Sequence, residues 1–118
     1  MRAPRILAPR VLALGLAVVF GATLAVGCAA SSTPAAPSDD PVLVEGQKIY
    51  SANCASCHGA TGQGGYGKKL AGVVTTKYPN IDDQIAVITN GKGAMPSFSQ
   101  KLTPEQVQAV ARYTREVL

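Results

Sequence analysis

The chemistry of this chain concentrates in Cys54-Ala55-Ser56-Cys57-His58. Two thiols three residues apart, followed at once by an imidazole, form the c-type haem attachment pattern. The spacing has a chemical reason. Each thiol adds to one of the two vinyl groups on a haem edge, and Cys-x-x-Cys spans the gap between them. The ring is then anchored so that His58 falls under the iron as an axial ligand. A zinc centre would need a fourth ligand, and adjacent Cys57 and His58 chelate one ion awkwardly. A thioredoxin-type dithiol would need a βαβ pattern that the sequence lacks. The pattern therefore predicts one covalent haem c on Cys54, Cys57 and His58.

A second site lies in Gly91-Lys92-Gly93-Ala94-Met95-Pro96. A methionine set between Gly93-Ala94 and Pro96 is an unusual core residue. Its thioether is a soft ligand that suits haem iron opposite histidine and raises its potential. His58 is the only histidine, so two histidines cannot share the iron. Met1 is the only other methionine and lies in the leader. Met95 is thus the leading candidate for the sixth ligand. A lysine is the weaker rival, and an open position is the remaining alternative.

Three helices must position these residues. Asp40 as N-cap and Pro41 at the first position predict a helix running through Val44, Gly46, Ile49 and Tyr50 to about Asn53. Gly46 inside it calls for close approach by another helix, because an interior glycine costs about 1 kcal/mol. Asn80 predicts a second helix, with Asp83 in the capping-box position, Ile81, Ile85 and Ile88 on one face, and Gly91 as its stop. Thr103-Pro104-Glu105-Gln106 opens the last helix with a capping box. Val107, Val110, Ala111, Thr114 and Val117 form its apolar face, with Tyr113 beside it.

Between these helices the sequence reads as loop. Gly62-x-Gly64-x-x-Gly67 is formally a dinucleotide fingerprint, but no strand precedes it and no βαβ unit surrounds it. Its glycines instead let backbone run close to a flat ring. Lys68 to Pro79 is predicted as loop; Val73-Val74-Thr75-Thr76 has strand propensity but no partner strand.

The chain has 118 residues, enough for one small domain. Its net charge is +4, but Arg2, Arg5 and Arg10 account for most of that. Without them 8 basic residues face 7 acidic ones, with no basic helix or basic–aromatic stripe, and nucleic acid is excluded as a partner. Of the three cysteines, only Cys28 stands outside the attachment pattern, so no pair is left for a structural disulfide.

Residues 1–27 have the layout of an export signal: arginines, then an apolar run from Val11 to Val26. Leu24-Ala25-Val26-Gly27-Cys28 resembles a lipobox, with Ala25 where leucine is usual. Cleavage before Cys28 would leave its thiol to be lipidated. An ordinary signal cut near Ala30 and an uncleaved anchor are the alternatives. Each puts the domain outside the cytoplasm, on the periplasmic side or the outer face of the membrane. Residues 28–40, rich in Pro, Ser and Ala, read as a flexible linker spanning roughly 20 Å.

Taken together, Cys54-x-x-Cys57-His58, the later Gly93-Ala94-Met95-Pro96-x-Phe98 and the closing amphipathic helix resemble the class I cytochromes c. The likeness is greatest to the small single-haem bacterial and photosynthetic type, and it covers about residues 42–118. Gly46-x-x-x-Tyr50-x-x-x-Cys54 also fits the family's first helix. There a glycine and an aromatic meet an apolar residue and an aromatic of the last helix, here Val110 and Tyr113. Many members carry Gly-Pro-x-Leu-x-Gly after the attachment motif, and that proline carbonyl accepts a hydrogen bond from the ligating histidine. Here the stretch is Gly67-Lys68-Lys69-Leu70-Ala71-Gly72, and a lysine carbonyl can do the same work.

The resemblance implies an all-α domain at 41–118, with three main helices wrapped around one covalent haem. It implies an electron carrier, not an enzyme, cycling between Fe(III) and Fe(II) with His58 and Met95 on the iron. Its expected partners are redox proteins: a membrane oxidoreductase, a terminal oxidase or a photosynthetic reaction centre. The chain itself is expected to be a monomer tethered to the membrane. Lys68, Lys69, Lys77, Lys92 and Lys101 would steer an acidic partner, or else are ordinary solvated lysines. A haem-bearing subunit of a larger dehydrogenase or oxidase complex is the alternative function. A ligand sensor or peroxidase-like enzyme would need an open iron.

Overall fold

The computed structural model describes residues 32–37 and 39–118. Its helices are α1 (Pro41–Asn53), α2 (Ala55–His58), α3 (Val74–Lys77), α4 (Ile81–Asn90) and α5 (Pro104–Glu116). No strand occurs among the described residues, and none of their helices is long and apolar enough to cross a membrane. Cys28 lies outside them.

The first and last helices are set by their caps. The Asp40 carboxylate accepts from the N–H groups of Val42 and Leu43 at 2.9 and 3.1 Å. Thr103 Oγ1 accepts from the Gln106 N–H at 3.3 Å, and Gln106 Oε1 accepts in return from the Thr103 N–H at 3.1 Å. These contacts satisfy helix donors that have no intrahelical partner. For α4 the cap differs from the expected box: Asn80 Oδ1 accepts from the Asp82 N–H, one residue earlier than Asp83.

Helices α1 and α5 cross at Gly46. A Cβ there would stand 2.3 Å from the Ala109 carbonyl oxygen and 2.7 Å from Tyr113 Cβ. Gly46 thus faces Ala109 and Tyr113, where the resemblance named Val110 and Tyr113. Val110 is buried in the same core, with Ile49, Tyr50, Val107, Ala111 and Tyr113. The Tyr50 and Tyr113 rings meet at 5.6 Å between centroids, tilted by 45°, within the separation at which aromatic pairs attract. An ion pair closes one end: Arg112 reaches Asp40 at 2.9 Å and Glu116 at 2.7 Å.

Two segments depart from expectation. Val74–Lys77 forms one helical turn with Val74 buried, although its β-branched residues favour strand. No second strand offers it a ladder, so local hydrogen bonds prevail, with the Lys77 N–H on Val73 O and the Tyr78 N–H on Val74 O. The second is the end of the expected linker, which lies on the domain. The Tyr113 hydroxyl donates to the Pro34 carbonyl, the Ala36 N–H to Gln47 Oε1 at 3.0 Å, and Ser51 Oγ to Thr33 Oγ1 at 3.0 Å. The buried ring of Tyr113 brings a hydroxyl that needs a partner, and Pro34 supplies it.

Helix α4 is pinned to α5 by polar groups. Gln84 is buried and donates to Thr114 Oγ1 at 2.7 Å. Arg115 donates to the Tyr78 and Pro79 carbonyls at 2.8 and 3.1 Å, holding the turn that leads into α4.

Candidate haem site

Helix α1 runs straight into the attachment turn. Cys54 is its C-cap, with its N–H on the Tyr50 carbonyl at 2.9 Å. The next turn follows at once, with the Cys57 and His58 N–H groups on Cys54 O at 3.1 and 2.9 Å. In helical geometry positions three and four apart share a face, so Cys54, Cys57 and His58 are presented together. Both thiols are free; Cys54 is half-buried and Cys57 exposed. Burial, with Cys57 close by, pushes the Cys54 thiol up to about 11. It is therefore held as the neutral thiol at physiological pH.

A loop wraps the imidazole. His58 Nδ1 lies 2.6 Å from the Lys68 carbonyl oxygen. A carbonyl only accepts, so Nδ1 carries the proton and Nε2 keeps its lone pair for a metal. Gly67 presses against the ring: a Cβ there would stand 2.9 Å from His58 Cε1 and Nδ1. The Gly67 N–H donates to Cys57 O at 2.7 Å and the Gly64 N–H to His58 O at 2.8 Å. Leu70 and Ala71 close the loop on Gly62 O at 2.8 and 2.9 Å. Tyr50 joins core to site, since its hydroxyl donates to Gly59 O at 2.7 Å. Burial first, then the Cys54 and Tyr113 charges, raise that phenol to about 12.

Met95 sits in a second loop, stapled to the end of α4. Lys92 and Met95 exchange N–H···O bonds at 3.1 Å in each direction. The Phe98 and Ser99 N–H groups return to Ile88 O and Thr89 O at 3.2 Å. Met95 is half-buried and packs, like Cys54 and Leu70, against the core that contains Phe98. Lys92 and Lys77 place their ammonium groups 5.7 and 5.9 Å from the Tyr78 ring centroid.

These residues fit a covalent haem. Two thiols share a helical face, one imidazole is held in the tautomer that leaves Nε2 free, and a thioether packs on the same core as Cys54. No group of three or more His, Cys, Asp or Glu residues able to hold a metal occurs among the described residues. Sequence reasoning missed Gln63, whose side-chain oxygen accepts from the Thr61 N–H and hydroxyl at 3.0 and 2.7 Å. It also missed the Arg115 brace, whose partners have no regular spacing.

The comparisons with known proteins converge. Residues 41–113 match the profile of a family described as cytochrome c oxidase, cbb3-type, subunit III. Cytochrome c6 of Nostoc sp. is 43% identical, with 71% of this chain and 76% of that protein covered. Among solved structures, cytochrome c6 from the diatom Phaeodactylum tricornutum superposes with a TM-score of 0.54 at 33% identity, over 61% of this chain and 88% of that one. Cytochrome cL from Hyphomicrobium denitrificans gives a TM-score of 0.56 at 26% identity over 63% of this chain. The match spans less than half of that longer cytochrome, 46% of its length.

Proposed function

The chain belongs to the class I c-type cytochromes, and from that premise we propose that Cys54 and Cys57 would hold its haem c by thioether bonds while His58 and Met95 would ligate the iron. It is a single-haem electron carrier. The haem, when bound, supplies one-electron Fe(III)/Fe(II) chemistry. His58 offers Nε2 because Nδ1 keeps its proton in the hydrogen bond that it donates to Lys68 O. Met95 offers a soft thioether that favours the reduced state. The hydrogen bonds around His58 and in the Met95 loop hold both side chains in place, which would limit their movement when the iron changes oxidation state. With His58 and Met95 both on the iron, no open position would be left for a substrate, and the protein would transfer electrons without catalysing a further reaction.

The observation that carries this reading is the 2.6 Å contact between His58 Nδ1 and Lys68 O. The decisive experiment compares haem-loaded wild type with Met95→Ala. The ferrous wild type should leave its spectrum unchanged under carbon monoxide, and the variant should bind the gas. Wild type that binds as readily as the variant would replace the carrier with an open-iron protein.

The work takes place outside the cytoplasm, with redox proteins as partners and Cys28 as the membrane tether. Residues 1–27 would be the signal, and mass spectrometry of the mature protein would report both the haem and an acylated Cys28. The hydrogen bonds of Thr33, Pro34 and Ala36 to Ser51, Tyr113 and Gln47 support counting these three residues with the haem domain. A second reading makes the chain a haem-bearing subunit of an oxidase, and the family's subunit description favours it. Stable co-purification with a catalytic subunit, in place of a free monomer, would decide for that reading.

A further inference from the structure

Tyr66 is 94% exposed. A single exposed apolar side chain is ordinary on a protein surface. What sets Tyr66 apart is the backbone that holds it. On one side the Gly64 N–H is bonded to His58 O, and on the other the Gly67 N–H is bonded to Cys57 O, at 2.8 and 2.7 Å. The Gly65 N–H closes the turn on Gly67 O at 3.0 Å. The flanking positions lie as near the attachment turn as backbone can: a Cβ at Gly65 would stand 3.2 Å from Cys57 O, and one at Gly67 would stand 2.9 Å from the imidazole. A tightly bonded turn thus displays one aromatic ring in solvent, beside the two residues that carry a thioether and an axial bond. The ring adds almost nothing to the core.

Charge points the same way. From residue 46 to residue 81 the chain has no Asp or Glu, but it has Lys48, Lys68, Lys69 and Lys77. Lys68 and Lys69 follow Tyr66 closely and are both exposed. The acidic residues are confined to 39–45 and to position 82 onward.

We propose that Tyr66, flanked by Lys68 and Lys69, anchors the docking surface for a redox protein, and that the partner offers an acidic surface with a recess for the phenol ring. Tyrosine suits this role because it buries a large area while losing few rotamers, and such anchors carry much of an interface's affinity. The rim lysines govern the encounter rate and its salt dependence. The surface would hold the partner against the Cys57–His58 turn. This inference rests on the carrier reading above.

The test uses the haem-loaded full chain, reduced, and washed membranes of the organism that makes it. Membrane-catalysed oxidation is followed at varied protein concentration. Tyr66→Ala should raise KM at least ten-fold with kcat little changed, and Tyr66→Phe should keep most of the wild-type KM. Lys69→Glu should weaken the dependence on ionic strength. The spectrum, the midpoint potential and oxidation by hexacyanoferrate(III) should not change in Tyr66→Ala. An unchanged KM in Tyr66→Ala overturns the proposal. So does an equal loss with hexacyanoferrate, which would make the ring part of the fold. Two further results overturn it by naming another occupant. One is sedimentation with phosphatidylglycerol vesicles that Tyr66→Ala abolishes while KM stays fixed; the other is a wild-type dimer that the variant dissolves. If wild type exchanges no electrons with the membranes in either direction, the carrier reading itself falls.

Discussion

Gly46 lies so close to Ala109 that a methyl on it would stand 2.3 Å from that residue's carbonyl oxygen. The obstacle is backbone of α5, which cannot rotate away as a side chain could. Helix propensity alone would make Gly46→Ala stabilising by about 1 kcal/mol. Forcing a methyl into a packed contact costs about 1–3 kcal/mol. The crossing should win, because α1 and α5 must separate to admit the methyl. The expected outcome is a net loss of up to about 2 kcal/mol, read from the denaturant midpoint of the haem-loaded protein. A more stable variant would show that the helices slide past each other at little cost.

Tyr50 makes a prediction about alkaline pH. Its phenol is raised to about 12, chiefly by burial. A group whose folded pKa exceeds its unfolded value of about 10 stabilises the fold fully below pH 10 and loses that contribution as pH rises toward 12. Tyr50→Phe removes this dependence while keeping the ring against Tyr113. At neutral pH it should cost about 1 kcal/mol for the lost bond to Gly59 O. Unfolding followed from pH 9 to 12 should show a shallower decline in the variant; Tyr113, also raised by burial, supplies the remainder. Equal slopes would mean that Tyr50 does not titrate with unfolding.

What could be read from the sequence was local. The attachment pattern, the Asp40-Pro41 start and the Thr103–Gln106 box each sit within one helical turn, where bond geometry dictates residue type. The Lys68 carbonyl was legible for a related reason, since any residue has one. Long-range partners were not legible. Nothing in Pro34 announces that a hydroxyl 79 residues away will donate to it. The Arg115 brace reaches back 37 residues to Tyr78. Val74–Lys77 misled because β-branched propensity describes a pleated surface, and no sheet exists among the described residues to provide one. Tyr66 carried no periodic signal, and only its exposure in three dimensions marks it.

If His58 ligates the iron, its bond to Lys68 O should tune the potential. A strong acceptor on Nδ1 makes the imidazole a better donor and favours the oxidised state. Gly67→Ala places a methyl 2.9 Å from that nitrogen, which must turn the ring and lengthen the bond. The midpoint potential should rise. Lys68→Pro, by contrast, keeps the carbonyl and should leave the potential close to wild type. Voltammetry of the two variants separates the backbone acceptor from the lysine side chain. A large shift in Lys68→Pro with none in Gly67→Ala would assign the effect to the lysine charge.

The Met95 loop can be disturbed without touching its sulfur. Gly91 ends α4 at φ +79, where side chains are strained. A Cβ there would also meet Met95 O at 2.6 Å and Pro96 C at 2.9 Å. Gly91→Ala must therefore push the loop outward and break the paired bonds between Lys92 and Met95. Helices α1 and α5 pack on each other at Gly46 and Ala109, contacts that do not involve Gly91, so the fold should survive. If Met95 is the sixth ligand, ferrous Gly91→Ala should bind carbon monoxide where wild type does not, and its potential should fall. Both changes should be smaller than in Met95→Ala, because the thioether still competes for the iron. A folded Gly91→Ala protein that stays closed to carbon monoxide would show that the iron–sulfur bond, and not the loop's hydrogen bonds, holds Met95 in place.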